Sequence, residues 1–341
     1  MRLSPLWQRR LAVFAGHRRG RVSLYIFAVV FVVSMAANFI ANDKPLLLDY
    51  QGRLYVPAVQ FIPATSFGPQ YLPTEADFTN PAIKAVINAH GWMVWPLIPY
   101  SYDTIVWDAG PVAPSPPSWR NWLGTDEVSR DVLARVIYGL RLSILFGFGL
   151  TIVASAVGIV AGAVQGFYGG LTDLLFQRFI EIWSGMPQLF LLIILASIIA
   201  PSFWVLLLFL LLFSWMSLTG VVRAEFLRAR NLDYVRAAKA LGVPDWQIML
   251  RHMLPNAMIA TLTFLPFILS NSVTVLASLD FLGFGMPPGS PSLGELVSEA
   301  KNNLAAPWLA FTAFATLGGI LILLIFIGEA VRDAFDPRKT Q

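Results

Sequence analysis

The chain has 341 residues, of which 56% are hydrophobic and only 13% charged, with a mean hydropathy of +0.64 and a net charge of +4. A soluble domain carries about 25% charged residues, so the missing charge argues against a water-soluble enzyme and makes lipid the main solvent. With no cysteine, disulfide frameworks and cysteine-based metal sites are excluded as well.

A hydrocarbon core roughly 30 Å thick needs about 20 apolar residues in helix. Six runs meet that need, at 22–41, 142–163, 174–200, 203–222, 258–284 and 308–330. They predict an all-α membrane protein of about six transmembrane helices. Residues 1–21 hold six arginines and no acid. Excess Lys and Arg marks the cytoplasmic side, so the first run enters with its N-terminus inside, as an anchor. A cleavable leader is the other reading of this run, but its apolar length of about 20 exceeds the 7–15 of a leader core.

Alternation then places 42–141 outside, 164–173 and 223–257 inside, 285–307 outside and the tail from Val331 inside. Charge agrees, since residues 42–118 hold three Lys/Arg against six Asp/Glu. A stretch of that length without structure is uncommon. Its prolines and its aromatics, among them Trp92, Trp95, Trp107, Trp119 and Trp122, predict a small extracytoplasmic cap of short strands or turns. The chain so divides into a leader and first helix (1–41), a cap (42–120) and a transmembrane core (121–341).

The inside stretch 223–257 carries six Arg/Lys and reads as two short helices broken at Gly242 and Pro244. Gly242 permits the turn, Asp245 is placed to cap the second helix, and Ala237 and Ala238 keep one face small. The spacing of Ala237, Ala238, Gly242, Leu254 and Pro255 resembles the coupling loop of ABC importer permeases, which docks on an ATPase subunit. Arg236 stands where that pattern has an acid.

Residues 121–143, NWLGTDEVSRDVLARVIYGLRLS, resemble the segment leading into the second span of permeases for dipeptides, oligopeptides and nickel. Leu123, Gly124, Thr125, Asp126, Arg130, Asp131, Arg135, Gly139, Arg141 and Ser143 match, whereas Ser129 stands where those permeases have Gly. Physically, Thr125 or Asp126 is expected to cap an amphipathic helix lying at the interface, with Val132, Leu133, Val136 and Ile137 as its apolar stripe. Arg130, Asp131 and Arg135 are expected to form salt bridges at the outer mouth. A third block, 278–296, resembles the same permeases, with Asp280 and Leu293 as departures. Those departures, with the IANDKPLL stretch at 40–47 and the long outside cap, resemble the Yej-type branch, whose importers take up oligopeptides and the peptide antibiotic microcin C; a nickel or small-ion permease is the alternative.

That resemblance implies the partners: a second, homologous permease, two ATP-binding subunits or a fused ATPase, and a periplasmic peptide-binding protein. It implies no cofactor in this chain, ATP being held by the partners. It also implies a bacterial inner-membrane location. Consistent with this, the sequence has no G-x-x-x-x-G-K-[ST] phosphate loop, no G-x-S-x-G elbow and no H-E-x-x-H zinc helix.

Several further residues carry two readings. Arg178 and Glu181, three apart on one helix, form either a structural pair at the interface or part of a gate. Pro187 nearby predicts a kink, a candidate position for a moving gate. Asp280 is either a path-lining carboxylate for a cationic part of the substrate or a structural carboxylate at a helix end. Gly158, Gly162 and Gly166, four apart, allow close helix packing, within the chain or against a partner.

Overall fold

The computed structural model describes residues 5–107, 110 and 112–336. The end of the inside tail and three positions of the cap therefore lie outside the described residues. In chain order, α1 (Pro5–Gly16), α2 (Arg18–Met35) and the short α3 (Ala37–Ile40) come first. Then follow β1 (Leu47–Tyr50), β2 (Arg53–Tyr55), α4 (Pro81–His90) and β3 (Gly91–Val94). The remainder is helical: α5 (Val132–Tyr168), α6 (Gly170–Ser184), α7 (Gln188–Ile198), α8 (Phe203–Ser214), α9 (Met216–Ala229), α10 (Asp233–Ala240) and α11 (Asp245–Gln247). A π-helical turn (Ile248–Met253) leads into α12 (Leu254–Phe281), and α13 (Leu293–Asn302) and α14 (Pro307–Phe335) complete the chain.

Two compact units result. Met1–Ala28, Ile144–Pro287 and Gly318–Gln341 form the first; Val29–Ser143 and Pro288–Leu317 form the second.

In the second unit a three-stranded antiparallel sheet has the order β2-β1-β3, with Leu48 opposite both Tyr55 and Met93. Gln51 and Gly52 both adopt positive φ, 53° and 75°. Such a two-residue turn matches the twist of the strands it joins. On α4, Pro81 takes the first turn and the Asn80 side chain accepts a hydrogen bond from Ala82 N at 2.9 Å. The helix lays Ile83 and Ile87 against Leu48, Phe67 and Phe78, which gives this region an apolar core of its own.

Among the described residues, four helical stretches are long and apolar enough to cross a membrane: Val132–Tyr168, Phe203–Ala229, Asp245–Phe281 and Pro307–Phe335. The protein is thus a multi-pass membrane protein. The run expected at 174–200 is not one straight span. It is α6 and α7, bent by 69°. Pro187 lacks the N–H that a continuous helix needs and disfavours helical backbone at Met186. In place of the first expected run, α2 starts on Arg18, Arg19 and Arg21 and stops at Met35, with a break at Ala36 before α3. Length and hydropathy therefore give four spans, or five with the bent pair, and α2 is too charged at its start to be counted by that criterion.

Within the first unit, the glycine stripe of α5 meets α9 and the Trp215 turn before it. A Cβ at Gly158 would lie 2.6 Å from Trp215 O and at Gly162 2.6 Å from Thr219 O, and one at Gly166 would collide with Phe226 Cβ. The stripe packs inside its own chain.

Candidate functional site

The coupling segment lies wholly in the first unit, and its sequence builds a two-faced element. At the end of α10, Val243 N donates to Ala238 O at 3.1 Å and Gly242 N to Lys239 O at 3.0 Å. This pair of bonds closes a Schellman turn, which needs a left-handed residue. Gly242 supplies it at φ +76°. Asp245 is the first residue of α11 and makes no side-chain cap; Pro244 holds the cap position and has no donor-accepting side chain to offer. The expected capping role of Asp245 is therefore corrected.

One face of the segment is core. Val235, Ala238, Ile248 and Met253 are buried together with Phe167, Val222 and Phe226. Ala238 thus faces its own helices, not a partner, whereas Arg236, Ala237, Gly242, Asp245 and Pro255 are exposed. Leu254 is half-buried against the core. The other face projects Leu241, Trp246 and Leu250, which are 83%, 60% and 54% exposed. The motif spacing did not single these three out. Leu241 caps the C-terminus of α10, Trp246 sits in α11 and Leu250 in the π-helical turn, and the spacing 235, 238, 241 would have placed Leu241 with the inward residues.

In the second unit, the outer-mouth residues form a buried ion cluster. The Asp126 carboxylate is fully satisfied: Oδ1 accepts from Val128 N (2.9 Å) and Arg130 N (2.8 Å), while Oδ2 accepts from Arg130 Nε and Arg135 Nη1, both at 2.6 Å. Its side chain is 0% exposed. From α13, Glu299 accepts from Arg135 Nη1 at 2.6 Å and from Arg130 Nη2 at 3.2 Å. Glu295 approaches Arg135 Nη2 at 3.3 Å. Neither glutamate was singled out in the sequence, although two acids four apart on one amphipathic helix were the available signal.

Asp131 does not join the cluster. It caps α5, accepting from Ala134 N at 2.8 Å, and its other oxygen accepts from Asn121 Nδ2 at 2.7 Å. The expected capping by Thr125 or Asp126 is overturned for that reason. Thr125 Oγ1 instead accepts from Ser115 N at 2.8 Å. No separate interfacial helix exists either: Val132, Leu133, Val136 and Ile137 belong to the first turns of α5. Arg141 lies apart, donating to Asn38 Oδ1 at 3.0 Å and stacking over Tyr138.

Two guanidinium groups face three carboxylates, so the fully ionised cluster holds one surplus negative charge. Burial pushes the Glu299 carboxyl up to about 7, against the opposing pull of Arg135. Burial likewise raises Asp131, with the Ala134 N–H and the Asn121 amide holding it back.

The remaining candidates separate. Arg178 Nη1 donates to Glu181 Oε2 at 2.6 Å on an exposed face of α6, while Asp173 pairs with Arg223 on α9, Nη2 to Oδ2 at 2.6 Å. Asp280 Oδ1 accepts from Met286 N at 2.6 Å in the turn that ends α12, and a Cβ on Gly285 would collide with that oxygen. The carboxylate is 8% exposed, which fits a residue that shapes a turn.

Comparison with known proteins connects these elements. Residues 154–341 match the model of the family described as binding-protein-dependent transport system inner membrane component. The chain belongs to that family. It is similar along 99% of its length to the inner membrane ABC transporter permease protein YejE of Escherichia coli, 58% identical over 99% of that protein. It is also 55% identical to the peptidoglycan transport system permease protein YejE of Agrobacterium fabrum, covering 99% of this chain and 94% of the relative. The dipeptide transport system permease protein DppC of Haemophilus influenzae is 34% identical over 66% of this chain and 79% of its own length. The coupling segment, α12, α13 and α14 all lie within the family match, whereas the Asp126 loop precedes it.

Proposed function

We propose that this chain is a membrane-spanning permease subunit of an ATP-driven importer of oligopeptides. The names of its relatives favour peptide cargo over nickel or a small ion. In this reading the chain has no ATPase site; ATP is hydrolysed by partner subunits, a second permease completes the pore, and a periplasmic binding protein delivers substrate. Both termini and the 223–257 segment face the cytoplasm of a bacterial inner membrane.

The observation that carries the mechanism is the two-faced coupling segment. Its inner face is welded into the α5–α9–α12 core, so force applied at its outer face passes to the spans rather than bending a loose loop. Trp246 presents the aromatic anchor that such an interface uses, with the exposed Leu241 adding apolar surface near it in sequence. Closure of the ATPases would thus tilt α9 and α12 as a body, and the 69° break between α6 and α7 is the place where a span can move without breaking further hydrogen bonds.

The test is co-purification from native membranes with Leu241→Glu and Trp246→Glu together. Both positions are exposed, so the fold is kept. Loss of an ATPase subunit with retention of a second permease is the expected result. Retention of the ATPase by the variant, or recovery of no ATPase with the unaltered chain, would overturn the coupling role.

A further inference from the structure

A cavity of about 550 Å³ is enclosed by residues of α2, α5, α12 and α14 that all belong to the first unit. That is within the roughly 300–1,000 Å³ of small-ligand sites. Among the described residues that line it none is charged, and Phe27, Phe148, Leu269 and Leu324 give it apolar walls. The Phe27 and Phe148 rings meet edge to face, with centroids 6.4 Å apart. To this apolar space α5 brings two hydroxyl residues, Thr151 and Ser155, each only 5% exposed. Neither hydroxyl has a hydrogen-bond partner among the described residues. Elsewhere in these spans the same groups are spent locally: Thr219, Thr261, Ser272, Thr274 and Ser278 each donate to the carbonyl oxygen four residues earlier. Buried polar groups are ordinarily paired, so two idle hydroxyls one turn apart mark a place for acceptors that a ligand brings.

We infer that this cavity binds an uncharged, lipid-soluble molecule with a flat ring bearing two carbonyl oxygens, the isoprenoid quinone class. The walls exclude ionic ligands, since a charge without a partner is costly at membrane depth. Depth excludes the common glycerolipids. Thr151 and Ser155 fall in the middle of the apolar run 142–163, where a glycerolipid places only hydrocarbon tails, its ester carbonyls being held near the headgroups. A prenylated quinone carries its carbonyls on a ring apolar enough to reach that depth. The two hydroxyls stand about 6 Å apart along the helix axis, four residues at about 1.5 Å each. The opposed oxygens of a para-quinone are separated by a similar distance. One oxygen accepts from Thr151 Oγ1 and the other from Ser155 Oγ, with the ring lying beside α5. Phe27 and Phe148 offer it aromatic contacts, and the prenyl tail leaves past Ile152 and Ala156, which line the cavity and are exposed. No electron transfer is involved: the quinone is a bound ligand that fills the space between the four helices.

The experiment uses the assembled complex containing the full chain, purified from native membranes, washed free of endogenous lipid and offered mixed micelles. These hold equal amounts of a diprenylated benzoquinone, dioleoylglycerol and squalene, which has no oxygen, and native mass spectrometry reads what is retained. The quinone is expected to be retained over the other two. Thr151→Val with Ser155→Ala removes both donors and no existing hydrogen bond. The yield of assembled complex should therefore hold while quinone retention falls by about tenfold or more. Thr151→Ser, which keeps the donor, should keep most of the retention. Should the double variant assemble poorly, Thr151→Val and Ser155→Ala are read singly, each with a several-fold loss expected. Equal retention of quinone and squalene would mean an apolar void only and would overturn the assignment. So would a preference for dioleoylglycerol, unchanged quinone retention in the variants without donors, or no retention of any probe by the unaltered complex. Retention is read without uptake, so the importer reading and this site stand or fall separately.

Discussion

Asp126 spends every acceptor it has on four donors, and that arithmetic fixes the loop around it. The loop closes through Ser129, which sits at φ +62°, a left-handed conformation that costs an L-residue roughly 1–2 kcal/mol. The left-handed backbone explains why the segment it resembles has glycine here, and it makes Ser129, the one departure, a strained one. Ser129→Gly should raise stability by about 0.5–1 kcal/mol, the relieved strain less the entropy glycine loses on folding, read as a higher thermal unfolding temperature of the purified complex. A lower temperature would show that the serine side chain compensates. Glu299 makes the second residue-scale prediction. Its folded-state value of about 7 lies above the ordinary 4.5, so the stability it contributes is fully present below about pH 4.5 and is lost as pH rises through about 7. The unfolding temperature should fall between pH 5 and pH 8, and Glu299→Gln, which cannot ionise, should flatten much of that slope. An unchanged slope in the variant would assign the pH dependence to other groups.

At the scale of elements, the seam between α5 and α9 depends on absent side chains. Gly162 has Thr219 O and Val222 Cβ at 2.6 and 2.9 Å from where a Cβ would sit, and both belong to a stiff neighbouring helix. Gly162→Leu should therefore abolish accumulation of folded chain in the membrane, and Gly162→Ala should reduce it measurably on quantitative immunoblots. Normal levels of the leucine variant would show that the helices separate at low cost. The four-residue spacing was legible in the sequence; which surface it met was not, because own-chain and partner contacts leave the same pattern. Pro187 is similar, since the missing N–H was readable but a 69° separation into two helices was not. Capping failed more plainly. Thr125, Asp126 and Asp131 are all competent caps, and only the distances select Asp131, because Asp126 is claimed by two arginines. In the coupling segment, the turn at Gly242 was legible from glycine's conformational freedom. The inward aim of Ala238 was not, because its small size suits a partner's groove and a tight core equally.

For the whole molecule, the number of crossings turns on α2. If it crosses with α3 behind it, six spans put the N-terminus and the coupling segment on the same side; if it lies in the interface, five remain and the two part company. Arg18, Arg19 and Arg21 are costly within the hydrocarbon but favourable at its cytoplasmic edge, and residues 22–35 are uncharged. Helical rise of about 1.5 Å per residue makes 22–41 long enough to span only with the residues beyond the break at Ala36 included. The same-side arrangement is the one proposed above. The cysteine-free sequence allows a clean test, since Trp119 and Trp246 are 97% and 60% exposed and each can be replaced by a single cysteine. Trp119→Cys should react with a membrane-impermeant maleimide in intact spheroplasts, and Trp246→Cys only in inside-out vesicles. A protease-cleavable tag on the N-terminus should be cut only in the inside-out vesicles, together with Trp246→Cys labelling. Cleavage from the side opposite to Trp246 would leave an odd number of crossings and place α2 on the membrane surface.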